Sequence, residues 1–133
     1  MMQLPDLSIM SETLAVCRMA AGEAIPGWAT AGTFFSITRT IDEFSIVCEA
    51  ARVPEAIQQE TGWRAFKVMG PLDFALVGVL AGISGVLAHA SVSLFVISTY
   101  DTDYILVREA VLTEAVQALG RAGYRIIDNQ QGL

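Results

Sequence analysis

The spacing of hydrophobic positions changes several times along the chain, and each change marks an element. WRAFKVMG, residues 63–70, alternates apolar and polar positions like a strand. Pro71 and Asp73 then make a turn and a helix start, with Asp73 as N-cap. Leu76, Val79, Leu80, Ile83, Val86 and Leu87 recur at helical spacing, which predicts a helix over 74–90. The other face of that helix is small: Ala75, Gly78, Ala81, Gly82 and Gly85. A glycine inside a helix costs ~1 kcal/mol relative to alanine. Several of them imply that a partner helix or a ligand packs very close. SLFVIST, a tip YDTD and YILVRE predict a hairpin, and VLTEAVQALGRAG predicts an amphipathic helix with Leu112, Ala115, Val116 and Leu119 inward. Gly120 or Gly123 ends it, and YRIID is a last strand. The order is β-α-β-β-α-β.

The same plan occurs earlier in the chain. FFSITRTIDEFSIVCEA, residues 34–50, aligns without gaps to LFVISTYDTDYILVREA, residues 94–110, at an offset of sixty. Phe35 meets Phe95, Ile37 meets Ile97, and Glu49 and Ala50 meet Glu109 and Ala110. GWR at 62–64 is echoed by GYR at 123–125. LAVCRM predicts the first strand of this earlier unit. AAGEAIPGWATAGT holds three glycines and a proline, so its first helix is degenerate. FFSITRT and EFSIVCEA form its hairpin, and VPEAIQQE a short second helix. Two modules are therefore expected, 1–62 and 63–133. Helices on one face of largely antiparallel sheets make an α+β fold of tandem ferredoxin-like units.

Composition narrows the class. Hydrophobic content is 53% and charged content 17%, which excludes disorder. The net charge is −6 and no Lys/Arg cluster occurs, so neither nucleic acid nor an anionic membrane surface is an expected partner. The N-terminus, MMQLPDLSIMSET, does not read as a signal peptide, and a cytoplasmic location is expected. Residues 74–100 lack Lys, Arg, Asp and Glu and exceed the ~20 residues of a membrane span. Acidic flanks, three glycines, four serines and a change of period argue instead for a buried helix, a tight turn and a buried strand. Cys17 and Cys48 lie in apolar runs with no CxxC, which predicts buried, reduced thiols and no metal site.

The catalytic inventory is thin. His89 ends the predicted helix between alanines, where the dipole favours a basic group. It has no neighbouring nucleophile or orienting acid. No GxSxG, P-loop or HExxH occurs, so neither an enzyme nor a cofactor is expected. A binding site is easier to build. The turn at 70–74 leads into a helix N-terminus whose unpaired N–H groups would attract a carboxylate. The strand ending in Ser98, Thr99 and Tyr100 reaches the same edge of the sheet, and Asp101 and Asp103 could accept hydrogen bonds from an ammonium. Such a pair of subsites suits a free amino acid. The competing reading is bland: Pro71 and Asp73 as turn and cap residues, Asp101 and Asp103 as a solvated tip.

On these residues the sequence resembles the ACT domain family, βαββαβ regulatory modules that bind amino acids. GPLDFALVGVLAGISGVLAHASVSLFVISTYDTDYILV is similar to the ACT modules of eukaryotic cytosolic arginine sensors and small bacterial homologues. FFSITRTIDEFSIVCEA is similar to the opening module of those small proteins. Aspartokinase-type domains share the turn, the glycine-containing helix and the IST strand end. The resemblance spans about residues 12–127. It implies an effector held between the helix-leading turn and the strand end at a module or subunit interface, without catalysis. It nominates Leu72, Asp73 and Phe74 at the turn, Thr99, Tyr100 and Asp103 after the strand, and Val79 and Leu80 as floor. Asp101 and Asp103 favour a basic amino acid, although an α-ammonium needs an acid equally. The first module shows Arg39, Thr40 and Glu43 where the second shows Thr99, Tyr100 and Asp103. A complete pocket then calls for a homodimer, with the glycine face of the helix as part of the contact. The alternative is an interaction module that keeps the fold and has lost the ligand.

Overall fold

The computed structural model describes residues 4–70 and 78–128. The chain divides into two units, Glu12–Trp63 and a larger one formed by Met1–Ser11 with Arg64–Leu133. The elements in chain order are β1 (Leu7–Ile9), β2 (Leu14–Met19), β3 (Phe35–Arg39), β4 (Phe44–Glu49), β5 (Gln58–Val68), α1 (Val79–His89), β6 (Phe95–Ser98), β7 (Asp103–Arg108), α2 (Leu112–Arg121) and β8 (Ile126–Asp128).

In the larger unit the strand order is β6-β7-β5-β1-β8. Phe66 and Val68 of β5, Ile105 and Val107 of β7, and Leu7 and Ile9 of β1 share one face, because side chains two apart on a strand point the same way. They form a single cluster with Ile83 and Leu87 of α1 and Ala115 and Leu119 of α2. Both helices therefore cover the same face of the sheet, as the α+β reading requires. Burying each of these large side chains contributes ~1.5–3 kcal/mol. The segment up to Ser11 belongs here and not, as the expected boundary had it, with the earlier module. The reason is pairing: β1 is antiparallel to β5 and parallel to β8, with Leu7 opposite Val68 and Ile126. A run as short as LSI carries too little periodicity to announce itself. Arg64, only 7% exposed, holds its end by donating to the Met10 carbonyl at 2.9 Å.

Of the helix expected over 74–90, Val79–His89 is helical, and residues 74–77 lie outside the described residues. Gly78 occupies its N-cap position with φ +90°, a left-handed backbone that a right-handed helix cannot run through. Nor is α1 buried all round; Ile83 and Leu87 are its only fully buried residues. Both helices end in the same way. Val92 N–H donates to the Leu87 carbonyl at 2.8 Å and Ser91 N–H to Ala88 at 3.0 Å. Tyr124 N–H donates to Leu119 at 3.1 Å and Gly123 N–H to Gly120 at 3.0 Å. These are Schellman closures, each with a left-handed residue after the cap. Gly123 fills that place at φ +104°, but Ser91 fills it in α1 at φ +62°.

The smaller unit orders its strands β3-β4-β2-β5. Its core is Ala15, Cys17, Ala29, Phe44, Ile46 and Cys48. The degenerate first helix is a 3-10 turn at Gly27–Thr30. The short second helix expected at VPEAIQQE does not form. A 3-10 turn covers Ala50–Arg52, and Gln58, Gln59 and Glu60 already pair with Arg18, Cys17 and Val16 of β2. Sheet hydrogen bonds outcompete a helix too short to nucleate. Both cysteines are buried free thiols on neighbouring strands. Burial pushes the Cys17 thiol up to about 12, reinforced by the adjacent Cys48.

The repeat also needs a correction. In the smaller unit Phe35 pairs with Cys48 and Arg39 with Phe44. In the larger, Phe95 pairs with Leu106 and Ser98 with Asp103. Superposing the two tips requires an offset of fifty-nine, not sixty. Ile46 and Cys48 then match Ile105 and Val107, all core-facing, and Ile37 matches Val96. An offset of sixty would turn every strand residue to the wrong face.

Candidate functional site

The corrected register changes what the hairpin tip offers. Asp103 lies on the core-facing side of β7, two residues before Ile105, at the place where the smaller unit has the fully buried Phe44. Its cross-strand partner Ser98 lies on the face of Val96 and matches Arg39. The Ser98 hydroxyl donates to Asp103 Oδ1 at 2.6 Å, a short charge-assisted bond. A carboxylate thus stands on the helix-side face of the sheet, beyond the last apolar layer.

The turn itself is rigidly tied. Thr99 N–H donates to the Thr102 carbonyl at 2.8 Å, and the Thr99 hydroxyl donates to the same carbonyl at 3.0 Å. Thr102 is 5% exposed, and its hydroxyl donates to the carbonyl of Val68 at the end of β5. That bond fixes the tip against the strand that leads into residues 70–78. Ser98 and Thr102 did not figure among the expected site residues. The alternation running from Val96 through Ser98 could have identified the first. Nothing local distinguishes Thr102 from any polar tip residue.

Of the expected residues, Val79 and Leu80 open α1, half-buried against the cluster that contains Val96 and Ile105. Thr99 is exposed and serves the turn, and Tyr100 is 80% exposed at its tip. Leu72, Asp73 and Phe74 lie outside the described residues. Asp103 and the α1 start are therefore brought to the same side of the sheet, while Tyr100 projects away as part of the tip.

The helix glycines separate into different roles. Gly78 is conformational. Gly82 is a close approach, since a Cβ there would come 3.0 Å from the Tyr124 hydroxyl. Gly85 meets nothing within 4 Å. It lines an open groove between the helices with Ala81, Ala118, Ala122, His89 and Arg121. Among the described residues no cluster of His, Cys, Asp or Glu could hold a metal ion. No helix among them is long and apolar enough to cross a membrane.

A family model for the ACT domain matches residues 58–121, and a second model, for the N-terminal domain of another family, matches residues 12–56. The chain is 33% identical over 97 residues to the cytosolic arginine sensor for mTORC1 subunit 1 of Homo sapiens. That match covers 67% of this chain and 30% of the sensor, so the chain spans under a third of the curated relative's length. A crystal structure of an Agobacterium tumefaciens protein is 37% identical, with a TM-score of 0.90 over 96% of this chain and 95% of that one. The ligand-free regulatory subunit of aspartate kinase from Thermus thermophilus shares the fold alone, at a TM-score of 0.63 and 7% identity over 91% and 99% of the two chains. In the larger unit β5, α1, β6, β7, α2 and β8 follow the β-α-β-β-α-β order expected of the ACT family, whereas the smaller unit has 3-10 turns in place of both helices. The chain belongs to the ACT domain family.

Proposed function

We propose that the protein is a non-enzymatic, amino-acid-binding regulator whose effector site lies in the larger unit. The effector would sit between the turn carrying Leu72, Asp73 and Phe74 and the end of the β6–β7 hairpin, over Val79 and Leu80. The observation that supports this most directly is Asp103, a carboxylate in a core-facing register whose counterpart is a buried phenylalanine. Asp103 is half-buried, and Ser98 supplies one hydrogen bond of the several its carboxylate can accept. An ammonium or guanidinium group would use that remaining capacity. The ligand carboxylate would meet the backbone N–H groups leading into α1. A basic amino acid suits the acid, and a second copy of the chain in a homodimer would supply the other wall of the pocket.

Thermal shift against the twenty amino acids tests the reading. A ligand at 100 times its dissociation constant adds ~2.7 kcal/mol of stability. Asp103→Ala should abolish that shift with little loss of stability in the free protein. If no amino acid moves the melting temperature at millimolar concentration, the proposal fails.

A further inference from the structure

We infer that the smaller unit contains a binding site for an alkylguanidinium group, and that its own Arg39 fills it. The inference rests on the preceding reading only for which parts of a module grip a ligand: the loop after the first strand, the end of the second strand and the start of the third. In the smaller unit Arg39 bridges all three. It stands at the end of β3. Its guanidinium lies 4.3 Å from the centroid of the Phe44 ring at the start of β4. Its Nη2 donates to the carbonyl of Glu23, in the loop that follows β2.

The contacts define the ligand class. A ring face attracts a delocalised cation, and the planar guanidinium can stack on it while its edge N–H groups donate outward. The Glu23 carbonyl takes one of those donors. The larger unit has Ser98 and Asp103 at the positions of Arg39 and Phe44. There a serine side chain does not reach across, and a carboxylate replaces the ring. The two units thus present one locus in two states. One is closed by a tethered cation on an aromatic face, and the other is left with an acid facing it. The Arg39 side chain is an internal occupant, which accounts for the smaller unit needing no long first helix to complete a pocket.

Chemical rescue in the full-length protein tests this. Arg39→Ala is expected to lower the folded-to-unfolded ratio about two- to fivefold, the size of an exposed cation–π contact. Ethylguanidinium on the order of 100 mM, the weak-affinity range that a two- to fivefold contact implies, should then raise the melting temperature of Arg39→Ala relative to that of the wild type at the same concentration. Ethylammonium should not substitute, because it lacks the planar fork. Arg39→Gln provides a second background if Arg39→Ala does not fold. An equal response of wild type and variant, or no response in either variant, overturns the inference. Adding Asp103→Ala separates it from the proposed function. Rescue at Arg39 should survive that substitution, whereas an amino-acid response in the larger unit should not.

Discussion

Replacing Gly82 and Gly85 with alanine should have opposite consequences, although both lie inside α1 three residues apart in sequence. Alanine gains ~1 kcal/mol over glycine at an interior helix position. At Gly85 a Cβ meets nothing within 4 Å, so Gly85→Ala should be stabilising by about that amount. At Gly82 the same Cβ would stand 3.0 Å from the Tyr124 hydroxyl. Tyr124 is only 8% exposed, so its hydroxyl has to yield a few tenths of an ångström among buried neighbours. Overpacking of a core contact costs ~1–3 kcal/mol, which cancels or outweighs the helix gain. Gly82→Ala should therefore be neutral to destabilising by ~2 kcal/mol. Tyr124→Phe removes the obstructing oxygen, and in that background Gly82→Ala should recover most of the ~1 kcal/mol propensity gain. Urea unfolding of the four proteins of this cycle, with Gly85→Ala as reference, gives the coupling directly. If Gly82→Ala stabilises as Gly85→Ala does, or if the two substitutions add without coupling, the close-approach argument is wrong.

Further outcomes are expected elsewhere in the chain. Ser91→Gly should raise stability by ~0.5–1 kcal/mol in chemical denaturation, since Ser91 carries the left-handed backbone of a Schellman closure at φ +62°. Thr102→Val should cost ~1–2 kcal/mol, because it strips the hydrogen bond to Val68 from a buried site; it should also weaken any amino-acid response through the displaced tip. Burial holds the Cys17 thiol neutral in the folded state, its value raised from 9.0 to about 12. Its contribution to stability is fully present below pH 9 and is lost as the pH rises from there toward 12, by at most ~1.4 kcal/mol per unit. Denaturation midpoints across that range should fall less steeply in Cys17→Ala than in the wild type, and parallel slopes would contradict the assignment.

Most of the elements and the hairpin at the centre of each unit were legible in local patterns of the sequence. Those features are local. Alternation in FFSITRT and YILVRE, helical spacing in VLTEAVQALG and the glycine-proline content of 20–33 depend only on neighbouring residues. Three decisions belonged to the tertiary structure. The first was the place of β1, three residues whose pairing partners lie more than fifty positions away. The second was the fate of VPEAIQQE, where an available sheet edge overrode a weak helical pattern. The third was the register of the repeat. Identical letters at Phe35 and Phe95, and at Ile37 and Ile97, favoured an offset of sixty, but identity does not say which way a side chain points. Only cross-strand pairing does, and it moved Asp103 opposite Phe44 and Ser98 opposite Arg39. A strand's period of two makes one residue of slip the difference between a tip acid in water and a carboxylate facing the helices.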